Sequence, residues 1–178
     1  MGKVQFQVNG LDSNTTSIFN DDVTFDGNVD AASISIDGID ILNAWTAYTP
    51  TITADGGGFS LGNGTASGRY KQLGKTVHFY AKLVYGSTTS PGSGHWNFSL
   101  PVQAQSSNFT FSAAILDSGA AWYGGIGNGN YTGSTTSFAV NVTSPNHNVA
   151  SWVVVGNGGP FTWGDADNIT ISGSYESV

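Results

Sequence analysis

The chain has 178 residues, a formal net charge of −7, 10% charged residues, 25 glycines and no cysteine. That length fits one globular domain with a small appendage, and the lack of cysteine excludes a disulfide framework or a thiolate metal site. With charge far below the roughly 25% of an ordinary soluble domain, long charged helices cannot be written in this alphabet, whereas short strands with uncharged polar faces can.

The opening MGKVQFQVNG alternates apolar and polar residues and lacks the apolar stretch of a signal peptide. No apolar run approaches the roughly 20 residues of a membrane span, so the expectation is a soluble chain with no membrane partner. Seven acids (Asp12, Asp21, Asp22, Asp26, Asp30, Asp37, Asp40) precede Trp45 against Lys3 alone, while the remainder is nearly neutral. This balance argues against a nucleic-acid partner and divides the chain into an acidic arm, residues 1–44, and a neutral body, residues 45–178.

Within the arm, Val4, Phe6 and Val8 alternate before an Asn9-Gly10 turn. Val23 and Phe25, Ile34 and Ile36, and Ile39 and Ile41 then recur at spacing two, with Asp26-Gly27 and Asp37-Gly38 as turns. These runs are too short for a core of their own. The arm is expected either to lie on a larger neighbouring surface or to intertwine with sibling arms, burying Ile34, Ile36, Ile39 and Ile41 at a shared axis with Trp45 in the same interface.

In the body the pattern predicts strands over Ala47–Thr53, Thr65–Leu73, Thr76–Tyr85, Gly94–Ser99, Asn108–Leu116, Ala120–Ile126, Ser137–Val142, Asn148–Val155 and Asn168–Tyr175. Gly74-Lys75 marks a tight hairpin, with Val77, Phe79, Ala81 and Leu83 facing one way and His78, Tyr80 and Lys82 the other. No segment holds a 3.6-residue apolar period. The predicted fold is all-β: an antiparallel β-sandwich or jelly-roll-like body behind an extended N-terminal arm.

Chemistry-bearing residues are sparse. His78, His95 and His147 share no metal-binding spacing, and no G-x-S-x-G elbow is present. The acids of the body, Asp55, Asp117, Asp165, Asp167 and Glu176, fall mostly in turns, and Asp165-Ala166-Asp167-Asn168 reads as a turn rather than a calcium loop. The run GGIGNGN, with Gly124, Gly125, Gly127 and Gly129, has no following helix to make a phosphate site and reads as a flexible or bulged loop. The expectation is a non-enzyme with no metal and no cofactor. Trp122-Tyr123 beside that run, and Trp163 in another loop, are candidates for stacking on sugar rings. The competing reading places Trp45, Trp96, Trp122, Trp152 and Trp163 in the core and in subunit interfaces, Trp152 most firmly.

The pattern of Trp45, Tyr48, Thr49, Pro50 and Thr51, then Leu61, Gly62, Gly64, Thr65, Gly68, Arg69 and Tyr70, then Gly74, Lys75, Thr76, Val77 and Phe79, then Trp96, Phe98, Ser99, Leu100 and Pro101 resembles a module of bacteriophage virion proteins. It is similar to the β-rich domain of minor tail proteins and other surface proteins of phages infecting actinobacteria, over about a third of the chain. The resemblance implies a projecting homotrimer on the virion surface. An arm of 44 residues suits a small capsid decoration protein, attached to the major capsid protein through Val4, Phe6, Val8, Val23 and Phe25. The alternatives are a tail-tip protein that recognises host glycans through Trp122, Tyr123 and Trp163, and a free carbohydrate-binding module.

Overall fold

The computed structural model describes residues 34–36, 39–40, 44–143 and 152–178. The chain divides into two compact units, Met1–Ala32 and Ser33–Val178, and all described residues belong to the second. The strands are β1 (Ser35–Ile36), β2 (Ile39–Asp40), β3 (Thr46–Tyr48), β4 (Ile52–Ala54), β5 (Phe59–Ser60), β6 (Thr65–Leu73), β7 (Thr76–Val84), β8 (Ser90–Pro91), β9 (Trp96–Ser99), β10 (Thr110–Asp117), β11 (Ala121–Asn128), β12 (Ser137–Thr143), β13 (Trp152–Val154) and β14 (Asn168–Glu176), with one helical turn, α1 (Gly129–Thr132). Every strand pairing among the described residues is antiparallel.

The all-β expectation is met. One sheet runs β3-β6-β7-β14-β10-β11-β12-β9-β4, with β13 beside β12, and it curls into a half-barrel. Its two end strands, β3 and β4, are consecutive in the chain. Only Thr49-Pro50-Thr51 joins them, a reach of roughly 14 Å at full extension, so the curl brings the two ends of the sheet close together. The sequence pattern read Ala47–Thr53 as one strand; it is two, serving opposite ends. Pro50, buried and without an N–H to offer a ladder, marks the crossing.

The hairpin of β6 and β7 is as expected: Leu73 pairs with Thr76 across Gly74-Lys75, and Gly74 takes the left-handed φ of 58° that a side chain would strain. Val77, Phe79, Ala81 and Leu83 are all buried. They join Ile169, Ile171 and Tyr175 of β14 and Phe111, Ala113 and Ile115 of β10 to form one wall of the core. The other wall is Phe138, Val140 and Val142 of β12, Trp96 and Phe98 of β9, and Ile52 and Ala54 of β4. Phe79 and Phe138 sit four strands apart along the sheet, yet their rings are 5.9 Å apart. This contact is the sheet folded over on itself, and each fully buried aromatic or branched side chain contributes about 1.5–3 kcal/mol to holding it there.

Two sequence expectations are corrected. The glycine run is not a loop. Gly124, Gly125 and Gly127 lie in β11, and a Cβ on Gly127 would stand 3.2 Å from both Phe111 and Phe138. Glycine is there because neighbouring core aromatics fill the space a side chain would need. The run also leads into a helix, the four residues of α1. Asn128 caps it by accepting the Asn130 N–H at 2.9 Å, and Gly133 ends it at φ 62°.

In the short sheet nearest the N-terminus, Ser35 pairs with Asp40 and Ile36 with Ile39. The expected turn at Asp37-Gly38 lies outside the described residues, as do the 148–151 part of the expected strand before β13 and His147.

Candidate functional site

Alternation along each strand turns every second side chain away from the core, and the registers align these outward residues in rows. One row crosses five strands as Arg69, Tyr80, Ser172, Ser112 and Ile126. The next reads Ser67, Lys82, Thr170, Ala114 and Gly124, and the one after it Thr65, Val84, Asn168, Leu116 and Trp122. The middle of this face is thus a field of short, uncharged side chains. Its two flanks differ. Toward β6 and β7 it is cationic, with Arg69, Lys71 and Lys82 beside His78. Along β11 it is apolar, with Trp122 69% and Ile126 39% exposed. Gly124 lies between them on the same strand, and a Cβ built there meets nothing within 4 Å. The strand beside Trp122 is therefore uncrowded, and a largely exposed indole of this kind can stack on a flat apolar partner.

On the other flank, the Arg69 guanidinium is 5.4 Å from the Trp45 ring centre and 5.3 Å from that of Tyr80. The cation is held between two aromatic faces, an arrangement worth about 0.5–1 kcal/mol per contact at exposed sites. Trp45, 48% exposed, is thus partly covered by its own chain.

The three proposed sugar-stacking residues do not form one platform. Trp122 is exposed, but it lies on a strand rather than in a loop. Tyr123, next along β11, points to the opposite face and stacks on Phe161 at 5.4 Å. Trp163 is buried, and its indole N–H donates to the carbonyls of Gly156 at 3.1 Å and Gly159 at 3.2 Å. It belongs to the core, as the competing reading held, and cannot stack on a ligand.

Of the residues assigned to attachment and trimer contacts, Val4, Phe6, Val8, Val23, Phe25 and Ile41 lie outside the described residues. Ile34 is half-buried, and Ile36 and Ile39 are described only as paired backbone. Trp152 is likewise described only as backbone of β13.

A second polar cluster, which the sequence pattern does not assemble, surrounds His95. Its Nδ1 lies 2.7 Å from the Tyr131 hydroxyl and 3.4 Å from Asp55 Oδ2, and Asn97 Nδ2 donates to Asp55 Oδ1 at 2.6 Å. Three elements meet here: the residue after β4, the start of β9, and α1. Nothing in the spacing of Asp55, His95 and Tyr131 along the chain signals the meeting, because only the folded chain, with β4 paired to β9 and α1 beside them, creates it.

Among the described residues no group of three or more His, Cys, Asp or Glu side chains is placed to hold a metal ion, and no helix is long and apolar enough to cross a membrane. Comparison with protein-family models, with curated proteins and with solved structures finds no match to this chain.

Proposed function

We propose that this protein is a structural component of a phage virion surface, a capsid decoration protein acting as a homotrimer. Its acidic N-terminal segment, residues 1–44, attaches to the major capsid lattice, and the β-body projects outward. Val4, Phe6, Val8, Val23 and Phe25 are the proposed apolar anchors, and Ile34, Ile36, Ile39, Ile41 and Trp45 the proposed trimer contacts. The virion assignment rests on the resemblance carried by the segment from Trp45 to Pro101.

The observation that supports a display role most directly is the core of the body. Residues between Ile52 and Tyr175 assemble a continuous two-walled interior around Trp96, Phe79 and Phe138. A body with such an interior is a rigid knob. Attachment by a separate segment then stabilises the lattice by linkage, because a ligand that binds only the assembled shell favours that shell. Many copies multiply a modest individual affinity.

Deleting residues 1–44 tests this reading. The truncated body is expected to fold and to lose capsid binding in a sedimentation assay with purified capsids. Full decoration by the truncated protein would overturn it.

A second reading, recognition of host cell-wall glycans at the tail tip, is favoured by one observation, the 69% exposure of Trp122 on an open sheet face. Copy number separates the two, since a lattice-wide decoration protein is present in hundreds per particle and a tail-tip protein in a few. Under the second reading, Trp122→Ala abolishes adsorption to host cells.

A further inference from the structure

Asparagine followed by glycine is a chemically labile pair, because a backbone nitrogen with no Cβ beside it can reach the side-chain carbonyl carbon of the preceding residue. The sequence holds four such pairs: Asn9-Gly10, Asn63-Gly64, Asn128-Gly129 and Asn157-Gly158. The first lies outside the described residues. The fold treats the other three differently.

Asn63 is tied down at both ends of its amide. Its Oδ1 accepts from the Thr88 N–H and from the Thr88 hydroxyl, each at 2.9 Å, and its Nδ2 donates to the Ser87 hydroxyl at 3.0 Å. The Gly64 N–H donates to the Leu61 carbonyl at 2.9 Å. Asn128 is held as the cap of α1, and the N–H of the buried Gly129 donates to the Phe109 carbonyl at 3.2 Å. Asn157 and Gly158, by contrast, are the two exposed central residues of a turn closed by Gly156 and Gly159. Those two glycines exchange N–H to carbonyl bonds of 3.1 and 3.3 Å, and both their carbonyls accept the Trp163 indole N–H. Among the described residues, neither the Asn157 side-chain amide nor the Gly158 N–H has a hydrogen-bond partner. A Cβ at Gly158 would meet nothing within 4 Å, so the Asn157 side chain has room to swing toward the Gly158 nitrogen.

We propose that Asn157 is a site of spontaneous covalent conversion to aspartate and iso-aspartate, with water as the co-reactant. The Gly158 nitrogen, having given its proton to solvent, attacks Asn157 Cγ. The N–Cγ bond forms, the Cγ–Nδ2 bond breaks, and Nδ2 takes a proton from water and leaves as ammonia, closing a succinimide ring. Water then opens the ring at either carbonyl. Breaking the N–Cγ bond gives aspartate; breaking the bond to the backbone carbonyl gives iso-aspartate, whose main chain is longer by a methylene. Either product adds a carboxylate to an already acidic chain. The iso form also lengthens the turn that receives the Trp163 indole. None of this rests on the capsid-attachment reading.

Incubation of the full chain in mildly alkaline buffer, followed by peptide mass mapping, tests it. A gain of about 1 Da is expected on the peptide holding Asn157. It should appear at least about tenfold faster than on the peptides holding Asn63 and Asn128, whose hydrogen bonds must break first. In urea the three rates should converge. Gly158→Ala, which the open space around Gly158 accommodates, should keep the circular dichroism of the parent and slow the conversion of Asn157 at least about tenfold. Equal rates at the three sites in the folded chain would overturn the proposal. So would conversion of Asn157 in urea alone, or an unchanged rate in Gly158→Ala.

Discussion

The indole rings of Trp96 and Trp163 meet with centroids 4.7 Å apart and planes inclined at 41°. Trp96 also donates its N–H to the Pro91 carbonyl at 2.8 Å, and Trp163 donates to the 156–159 turn. Both polar edges are therefore satisfied inside the core, as buried indoles require. Around the pair run Phe59, Tyr85, Phe161 and Tyr123, each ring within 6.2 Å of its neighbour. This aromatic chain ties the segment after β13 to β9 and to the inward face of β11.

Trp163→Ala should therefore cost about 3–5 kcal/mol of stability, the range for removing a large buried aromatic. Trp122→Ala, one strand face away but exposed, should stay within about 0.5 kcal/mol of the parent. Urea unfolding followed by circular dichroism compares the two. Equal losses would mean that the burial assigned to one of them is wrong.

Asp167 is buried at 3% exposure and clamps two turns. Its Oδ1 accepts the Ser118 N–H at 2.7 Å and its Oδ2 the Gly164 N–H at 2.6 Å. Hydrogen bonds to a charged group are worth about 1.5–3 kcal/mol each. Asp167→Ala leaves both amides without their acceptor and should destabilise by at least about 2 kcal/mol; Asp167→Asn keeps one oxygen and should fall between. Faster exchange of the Ser118 and Gly164 amides in the alanine variant, ahead of the core, is the accompanying signature.

Much of this fold was legible where one rule acted alone. Val77, Phe79, Ala81 and Leu83 alternate without interruption and Gly74 supplies the only residue free to turn, so register and facing followed together. The glycines of β11 misled because their reason lies elsewhere in the chain: Phe111 and Phe138 occupy the room above Gly127. Trp122 and Trp163 were assigned similar roles because both fall in stretches that read as loops. Strand parity at one and the core contact with Trp96 at the other separate them. The cluster of Asp55, His95 and Tyr131 was illegible for a further reason, since it exists only once β4, β9 and α1 are placed side by side.

Tyr48 offers a stabilising substitution. Its hydroxyl is buried with no hydrogen-bond partner among the described residues, while its ring meets Tyr70 edge-on at 6.1 Å. An unsatisfied buried hydroxyl costs about 1–3 kcal/mol, and removing it keeps the ring contact. Tyr48→Phe should raise stability by about 1 kcal/mol, read as a higher urea midpoint at unchanged m-value. A lower midpoint would show that the hydroxyl is paired.

Tyr175 sets an alkaline limit. Its hydroxyl donates to the Val102 carbonyl at 2.7 Å. Burial pushes its pKa up from 10.0 to about 12; the hydrogen bond its oxygen accepts from the Val102 N–H at 3.2 Å opposes the rise and Tyr70 adds to it. Tyr48 is raised as well, by burial first and by Tyr175 second. The folded chain thus keeps these phenols protonated where the unfolded chain begins to ionise, near pH 10. Above that point the folded state binds more protons than the unfolded one, so stability falls as pH rises. The melting temperature should be flat between about pH 7 and 9 and then decline between pH 10 and 12. Tyr175→Phe loses the hydrogen bond to Val102 and should be less stable at neutral pH, yet its alkaline decline should be shallower than the parent's. A decline of the same slope would place the titrating group elsewhere.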